Sequence, residues 1–317
     1  MRSVIFNRTN IVPNTGNTTL VYKFPTSVDL TGARIAISNI SMYYSWDNIS
    51  TNYANTTFSY SWKVGSTETT YNVSIPNGLY EVKDLNAYLQ FVFIANGHYL
   101  VNSVGQNVYY AEFIVNPNQY AVQINTYPVP TSLPSGWTAP SNFAGYPTGN
   151  FNPIITLTSK FNEVLGYTAG FATGTGAGAT LSYLSSVAPQ VQPNSSLFIS
   201  LTGIDNKYAS PNSVIYSLAP SVGIGELIVE KPAEFNWNKL LAGTYSELRL
   251  QILSNTFQPI TIRDPQMTIV CVIEDQDAKI LDVGSHLGTA SQAGAMLSRS
   301  GVPQNSNFNI GGSGLRR

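Results

Sequence analysis

The chain has 317 residues, enough to bury roughly three quarters of its unfolded surface in one large domain or two smaller ones without disulfide staples. Only 10% of residues are charged against 43% hydrophobic and 12% aromatic, so Asn, Ser, Thr and Tyr supply most of the polar surface, an uncharged and β-prone composition. A formal net charge of -1 leaves no Lys/Arg excess to replace counterions on a phosphate backbone, which argues against a nucleic-acid-binding protein as a whole.

The opening MRSVIFNRTNIVPNTGNTTL has no apolar leader core, and no run approaches about 18 apolar residues, so nothing marks export or membrane insertion. β-rich runs then follow at residues 18–24, 33–43, 57–63, 71–75, 108–115, 120–125 and 154–158, and again at 197–201, 214–218, 227–229, 248–253 and 267–273. Clusters of Asn, Gly, Pro and Ser separate nearly all of them, and about a dozen such strands point to sandwiches or barrels. In ARIAISNISMYY the apolar phase slips near Ser38 and Asn39, which predicts a bulge or bend.

One segment reads differently. After the turn Pro76-Asn77-Gly78, residues Leu85, Tyr88, Leu89, Val92 and Phe93 share a helical face, and Asn96-Gly97 supplies a stop. A single helix covering apolar surface at a sheet edge or barrel end is the expectation, with packing as its task. Residues 126–153 and 169–180, rich in Pro and Gly, read as long loops.

Chemistry-bearing patterns are sparse. Cys271 lies in the apolar run MTIVCVI and reads as a core thiol; His98 and His286 are isolated, with no Cys, Asp or Glu at metal-ligand spacing. GTGAG at 174–178 lacks the Lys-Ser/Thr and the strand-to-helix setting of a phosphate loop. Acidic pairs for glycan hydrolysis could be drawn from Glu226, Glu230, Glu234, Glu247, Asp264, Glu274, Asp275 and Asp277, though spacing places no two of them together. Seven Asn-x-Ser/Thr sequons, at Asn7, Asn17, Asn39, Asn48, Asn55, Asn72 and Asn194, are about what so Asn- and Thr-rich a chain holds by chance.

Three stretches in order carry a family resemblance: SIPNGLYEVKDLNAYL, FNEVLGYTAGF, and SLFISLTGIDNKYASPNSVIYSLAPSVGIGELIVEKP followed by ELRLQILSNTFQPITIRDPQMTIVCVIED. Together they resemble the minor capsid, or penton, proteins of Polinton/Maverick elements and virophages, with Tyr167 where the family has Phe and Ser254-Asn255-Thr256-Phe257 where it has an Asp-Gln-x-Gly turn. The resemblance implies an all-β fold: a single jelly-roll antiparallel sandwich with an inserted small β-rich domain and one bracing helix. The expected division is residues 1–69 as the first part of the jelly roll, 70–190 as the insertion, 191–280 as the second part and 281–317 as a flexible C-terminal tail. The resemblance also implies a virion protein at capsid vertices, a homopentamer that meets a major capsid protein and reaches a host surface receptor through its insertion. With no nucleophile, base or metal constellation in the sequence, no enzyme activity and no cofactor are expected.

Two segments are candidates for those contacts. WNKLLAGTY with the preceding Phe235 concentrates large groups between Glu234 and Glu247, so Phe235, Trp237, Leu240, Leu241 and Tyr245 either meet a neighbouring copy or plug the sandwich end. In the tail, Ile310-Gly311-Gly312-Ser313-Gly314 is similar to sites cut by adenovirus-type maturation proteases, with Ser313 and Gly314 at the cut, and Arg299, Arg316 and Arg317 could touch packaged DNA or a membrane. The rival reading is a carbohydrate-binding or glycan-hydrolysing β-sandwich, motivated by 19 Tyr, 4 Trp and abundant Asn.

Overall fold

A computed structural model describes residues 1–275 except 159, 177 and 209; Asp277, Ser313, Gly314 and the tail arginines lie outside the described residues. The chain begins with β1 (Arg2–Asn7), β2 (Thr19–Asp29) and β3 (Arg34–Tyr43). A middle section follows, with β4 (Thr57–Val64), β5 (Thr67–Ser74), α1 (Val82–Asn96), β6 (Tyr99–Val101), β7 (Asn107–Tyr109), β8 (Ala111–Asn116), β9 (Ala121–Thr126), β10 (Ile155–Leu157), α2 (Phe161–Leu165) and β11 (Leu181–Leu184). It ends with β12 (Leu197–Leu201), β13 (Val214–Leu218), β14 (Leu227–Glu230), β15 (Asn238–Lys239), β16 (Thr244–Leu253) and β17 (Thr268–Glu274).

The first and last groups make a sandwich of two sheets, ordered β1-β17-β3-β14, with β15 also on β3, and β13-β12-β16-β2. Leaving out the two-residue β15 and numbering its strands one to eight along the chain, the orders become 1-8-3-6 and 2-7-4-5, all antiparallel, which is the strand order of a jelly roll. Alternation on β3 sends Ile35, Ile37, Ile40 and Met42 inward against Phe6, Leu20, Leu250, Ile252 and Cys271. The phase slip is a bulge: Val270 pairs Asn39 while Cys271 pairs Ile37, so Ser38 is the extra residue, its hydroxyl donating to the Val270 carbonyl at 3.2 Å. Cys271 is fully buried, and desolvation pushes its thiol up to about 12, the behaviour of a packing residue.

The middle section has its own core, built from Phe58, Tyr60, Trp62, Leu85, Leu89, Phe93, Phe113, Phe151 and Phe161. It therefore begins before residue 70. β4 and β5 pair with each other and β4 with β10, so the expected break after residue 69 falls inside β5, and β4 is not an early strand of the sandwich. The sandwich instead takes β1, a strand the sequence reading left out.

The helix packs inside this second core. Val82, Leu85, Leu89 and Phe93 are its buried face, against β8, rather than across the end of the sandwich. A capping box of Glu81 and Asp84 starts it, and Gly97 ends it at φ +68°. A Cβ on Gly97 would stand 1.9 Å from the Asn142 carbonyl oxygen, so glycine is required there by space as well as by backbone conformation. The FNEVLGY stretch has a similar logic: α2 ends at Gly166 (φ +80°), and the Tyr167 hydroxyl donates to the Tyr183 carbonyl at 2.6 Å and accepts from the Ile124 N–H at 3.2 Å. Tyrosine in place of phenylalanine thus ties α2 to β9 and β11.

Three chain segments join the two cores. Asn48, fully buried, donates to the carbonyls of Tyr80 (2.7 Å) and Val191 (2.8 Å) and accepts from the Tyr80 N–H (2.9 Å). Asp47 pairs with Arg263 from the sandwich, whose guanidinium also donates to the Asn77 carbonyl at 2.5 Å. Asn55 braces Asn48 and Ser50, and Asn194 donates to the Tyr53 hydroxyl. Three of the seven sequon asparagines, Asn48, Asn55 and Asn194, are accordingly buried hydrogen-bonding hubs.

Candidate assembly surface

The segment 235–245 closes one flank of the sandwich. Asn238 and Lys239 pair with Ile35 and Arg34 of β3, while Leu241 donates its N–H to the Gly203 carbonyl at 2.8 Å and Ile204 bridges Leu240, both just after β12. The segment is therefore a ledge spanning from one sheet to the other. Gly203 (φ +80°) lets it sit close, because a Cβ there would stand 2.7 Å from the Tyr245 ring.

Adjacent leucines point opposite ways on such an extended ledge. Leu240 is fully buried in the sandwich core, so it is a plug and does not belong to the expected interface set. Leu241 is 49% exposed and Phe235 39% exposed, with Phe235 against Trp237 at 5.4 Å between ring centroids. The Arg34 guanidinium lies 4.6 Å over the Trp237 ring and is paired with Glu274. Tyr245, half-buried, donates its hydroxyl to the Leu241 carbonyl at 2.8 Å. Phe235 and Trp237 thus form one pair along the ledge and Leu241 and Tyr245 another, and Leu240 is separated from both.

The same flank carries residues that the sequence reading did not single out. β14 is an edge strand with Leu227 44% and Val229 55% exposed, in line with β15 along β3. Its Glu230 accepts from the Tyr216 hydroxyl of β13, the edge strand of the other sheet, which fastens the two edges together. An edge of free backbone groups bearing exposed aliphatics is a surface that soluble proteins ordinarily cover. The alternation Leu227-x-Val229 was its only signal in the sequence.

No family model and no curated protein matches this chain. Among solved structures it is similar to the mavirus penton protein, at 10% identity and a TM-score of 0.40, over 81% of this chain and 98% of that chain.

The acidic candidates are dispersed in supporting tasks. Glu226 accepts from the Gly223 N–H, Glu230 from Tyr216, Asp264 from the Gln266 N–H, and Glu274 pairs with Arg34. Glu234 is exposed and Glu247 half-buried on β16. Among the described residues no three His, Cys, Asp or Glu stand together as metal ligands would. A polar row does exist on the outer face of β8 and β9. There Glu112 accepts from the Tyr127 hydroxyl and from Asn125 (3.1 Å), and Gln123 donates to Asn125 at 2.7 Å. Desolvation, with Glu112 beside it, raises the Tyr127 phenol above its ordinary value.

Proposed function

We propose that this chain is a structural shell protein, the penton of an icosahedral viral particle, working as a ring of five copies with their jelly rolls side by side. The observation that carries the reading is the place of the insertion. A whole second core is spliced between the third and fourth strands of a jelly roll, leaving after Tyr43 and returning at Leu197. Arg34, Arg2 and Glu274 lie at the other end of the same sheet. The molecule therefore has two ends, one bearing the inserted core and one from which the chain continues past Asp275, as a shell with an outside and an inside requires. The ordered sequence motifs point the same way.

In this reading the insertion faces outward, where a host surface receptor would be met, and the end of the sheet bearing Arg2, Arg34 and Glu274 faces inward. The flanks contact the next copy and the major capsid protein. Low charge leaves little repulsion between copies, and exposed Phe235, Leu241, Leu227 and Val229 supply apolar contact area.

Native mass measurement and negative-stain imaging of the purified protein test it: closed rings of five are expected at capsid-like concentrations. A Phe235→Ala, Leu241→Ala double variant should lose the ring while the monomer keeps its melting temperature to within about 3 °C. Leu240→Ala should instead destabilise the monomer by about 2–5 kcal/mol. A protein that stays monomeric, and is missing from five-fold positions of particles, rejects the assignment.

The Glu112–Asn125–Tyr127 row favours a second reading, in which the insertion binds a neutral glycan through amide and phenol groups. Glycan-array binding that Asn125→Ala abolishes would support it, and a blank array on wild-type protein removes it.

A further inference from the structure

The flank opposite the ledge holds a groove. It lies between the ends of β1 and β2, encloses about 360 Å³, and is lined by Tyr22, Phe24, Val28 and Leu30 together with the charged Arg2, Asp29 and Asp275. Register places ledge and groove at one height. Arg2 pairs Ile273, Ile273 pairs Ile35, and Ile35 pairs Asn238, so a single cross-strand row runs through four strands from the groove to the ledge. At the usual spacing between strands the two features are about 14 Å apart, on opposite edges of one sheet.

We infer that the ledge of one copy, led by Phe235 and Leu241, seats in the β1/β2 groove of the next copy. This rests on the ring reading and deepens it by naming both halves of the contact. A ring needs a heterologous interface, with two different patches on each copy that fit each other. An exposed aromatic and an exposed leucine on one flank, and a partly apolar groove level with them on the other, are such a pair. The occupant is a second copy because the charges also match. Glu234 and Lys239 bracket Phe235, and the groove lining carries Arg2 and Asp29, with Asp275, which has an interaction of its own, beside them. Among the described residues, Arg2, Glu234 and Lys239 take part in no ion pair within the chain. Glu234 of the ledge meets Arg2 of the groove, and Lys239 meets Asp29.

Charge exchange tests it by the concentration at which rings form. Arg2→Glu alone or Glu234→Arg alone should raise that concentration about tenfold, since each puts like charges in contact. The two changes in one chain should restore it to within about threefold of wild type, which general damage to the fold cannot do. Rings that form equally well in all four proteins overturn this inference and leave the ring reading standing. Wild-type protein that forms no rings overturns both. A third outcome is a disulfide closing within one chain of a Thr31→Cys, Leu281→Cys variant; this places residues 280–283 of the same chain in the groove and also overturns the inference.

Discussion

Replacing Asn48 by alanine is expected to cost about 3 kcal/mol of folding stability, more than any single surface change in this protein. The side chain is fully buried where the two cores meet, and its three hydrogen bonds go to backbone groups of Tyr80 and Val191 that have been taken out of water. Alanine leaves two carbonyls and one N–H in place with no partner, and each such group costs about 1–3 kcal/mol, less than additively when a water molecule fills the gap. Asn48→Asp should be worse at neutral pH, because a carboxylate oxygen would face the Tyr80 and Val191 carbonyls that now accept from the amide. Asn48 also couples the cores, through the chain entering the insertion at Asp47 and the chain leaving it at Val191. Urea unfolding followed separately by far-ultraviolet dichroism and by tryptophan fluorescence should therefore show coincident transitions in wild type and separated ones in the alanine variant. A midpoint change worth less than about 1 kcal/mol, with transitions still coincident, would show that the hub carries little of the junction.

The sandwich was legible in the sequence wherever two or more strong inward residues alternate. β3, β12, β16 and β17 stand close to where their apolar periodicity puts them, and even the bulge at Ser38 is visible as a slipped phase. β1 was not, because Val4 and Phe6 are its only buried residues and arginines sit on both sides. The misplaced β4 has another cause. Phe58, Tyr60 and Trp62 alternate as well as any jelly-roll strand, but period-two alternation says only that one face is buried and not which sheet buries it. β4 sits between β5, its hairpin partner, and β10, which lies distant along the chain. The ledge shows the same limit at one residue: Leu240-Leu241 must divide between inside and outside, and only the pairing of Asn238 with Ile35 decides which goes in. The junction was least legible, since Asn48, Asn55 and Asn194 carry no periodic signal and resemble glycosylation sequons until three remote segments close around them.

Stability should fall by about 3 kcal/mol as pH drops from 6.5 to 4, and His98 should be its chief source in the upper part of that range. The ring is fully buried in the second core, stacked on Trp62 at 4.5 Å between centroids. Its Nδ1 lies 2.8 Å from the Tyr60 hydroxyl, and that hydroxyl accepts from Asn96 at 2.9 Å. The hydroxyl and Nδ1 share one hydrogen bond whose direction follows the tautomer, and Nε2 is buried with no partner among the described residues. The groups packed on the imidazole are Tyr60, Tyr71 and Trp62, with no carboxylate among them. Burial without a counter-charge lowers the His98 pKa from 6.5 to about 4. The folded state therefore refuses a proton that the unfolded chain accepts. The stability due to the neutral ring is whole above the unfolded value of about 6.5, is lost progressively below it, and levels off once pH passes the folded value. Carboxylates elsewhere in the chain add acid sensitivity of their own below about pH 5, so the useful comparison is a difference. His98→Phe keeps the stacked ring, removes the titration, and should flatten the unfolding midpoint between pH 6.5 and 5 whatever it does to stability at pH 7. An unchanged slope in that variant, or an imidazole resonance of His98 that titrates near 6.5 in the folded protein, would show that the buried ring takes up its proton without resistance.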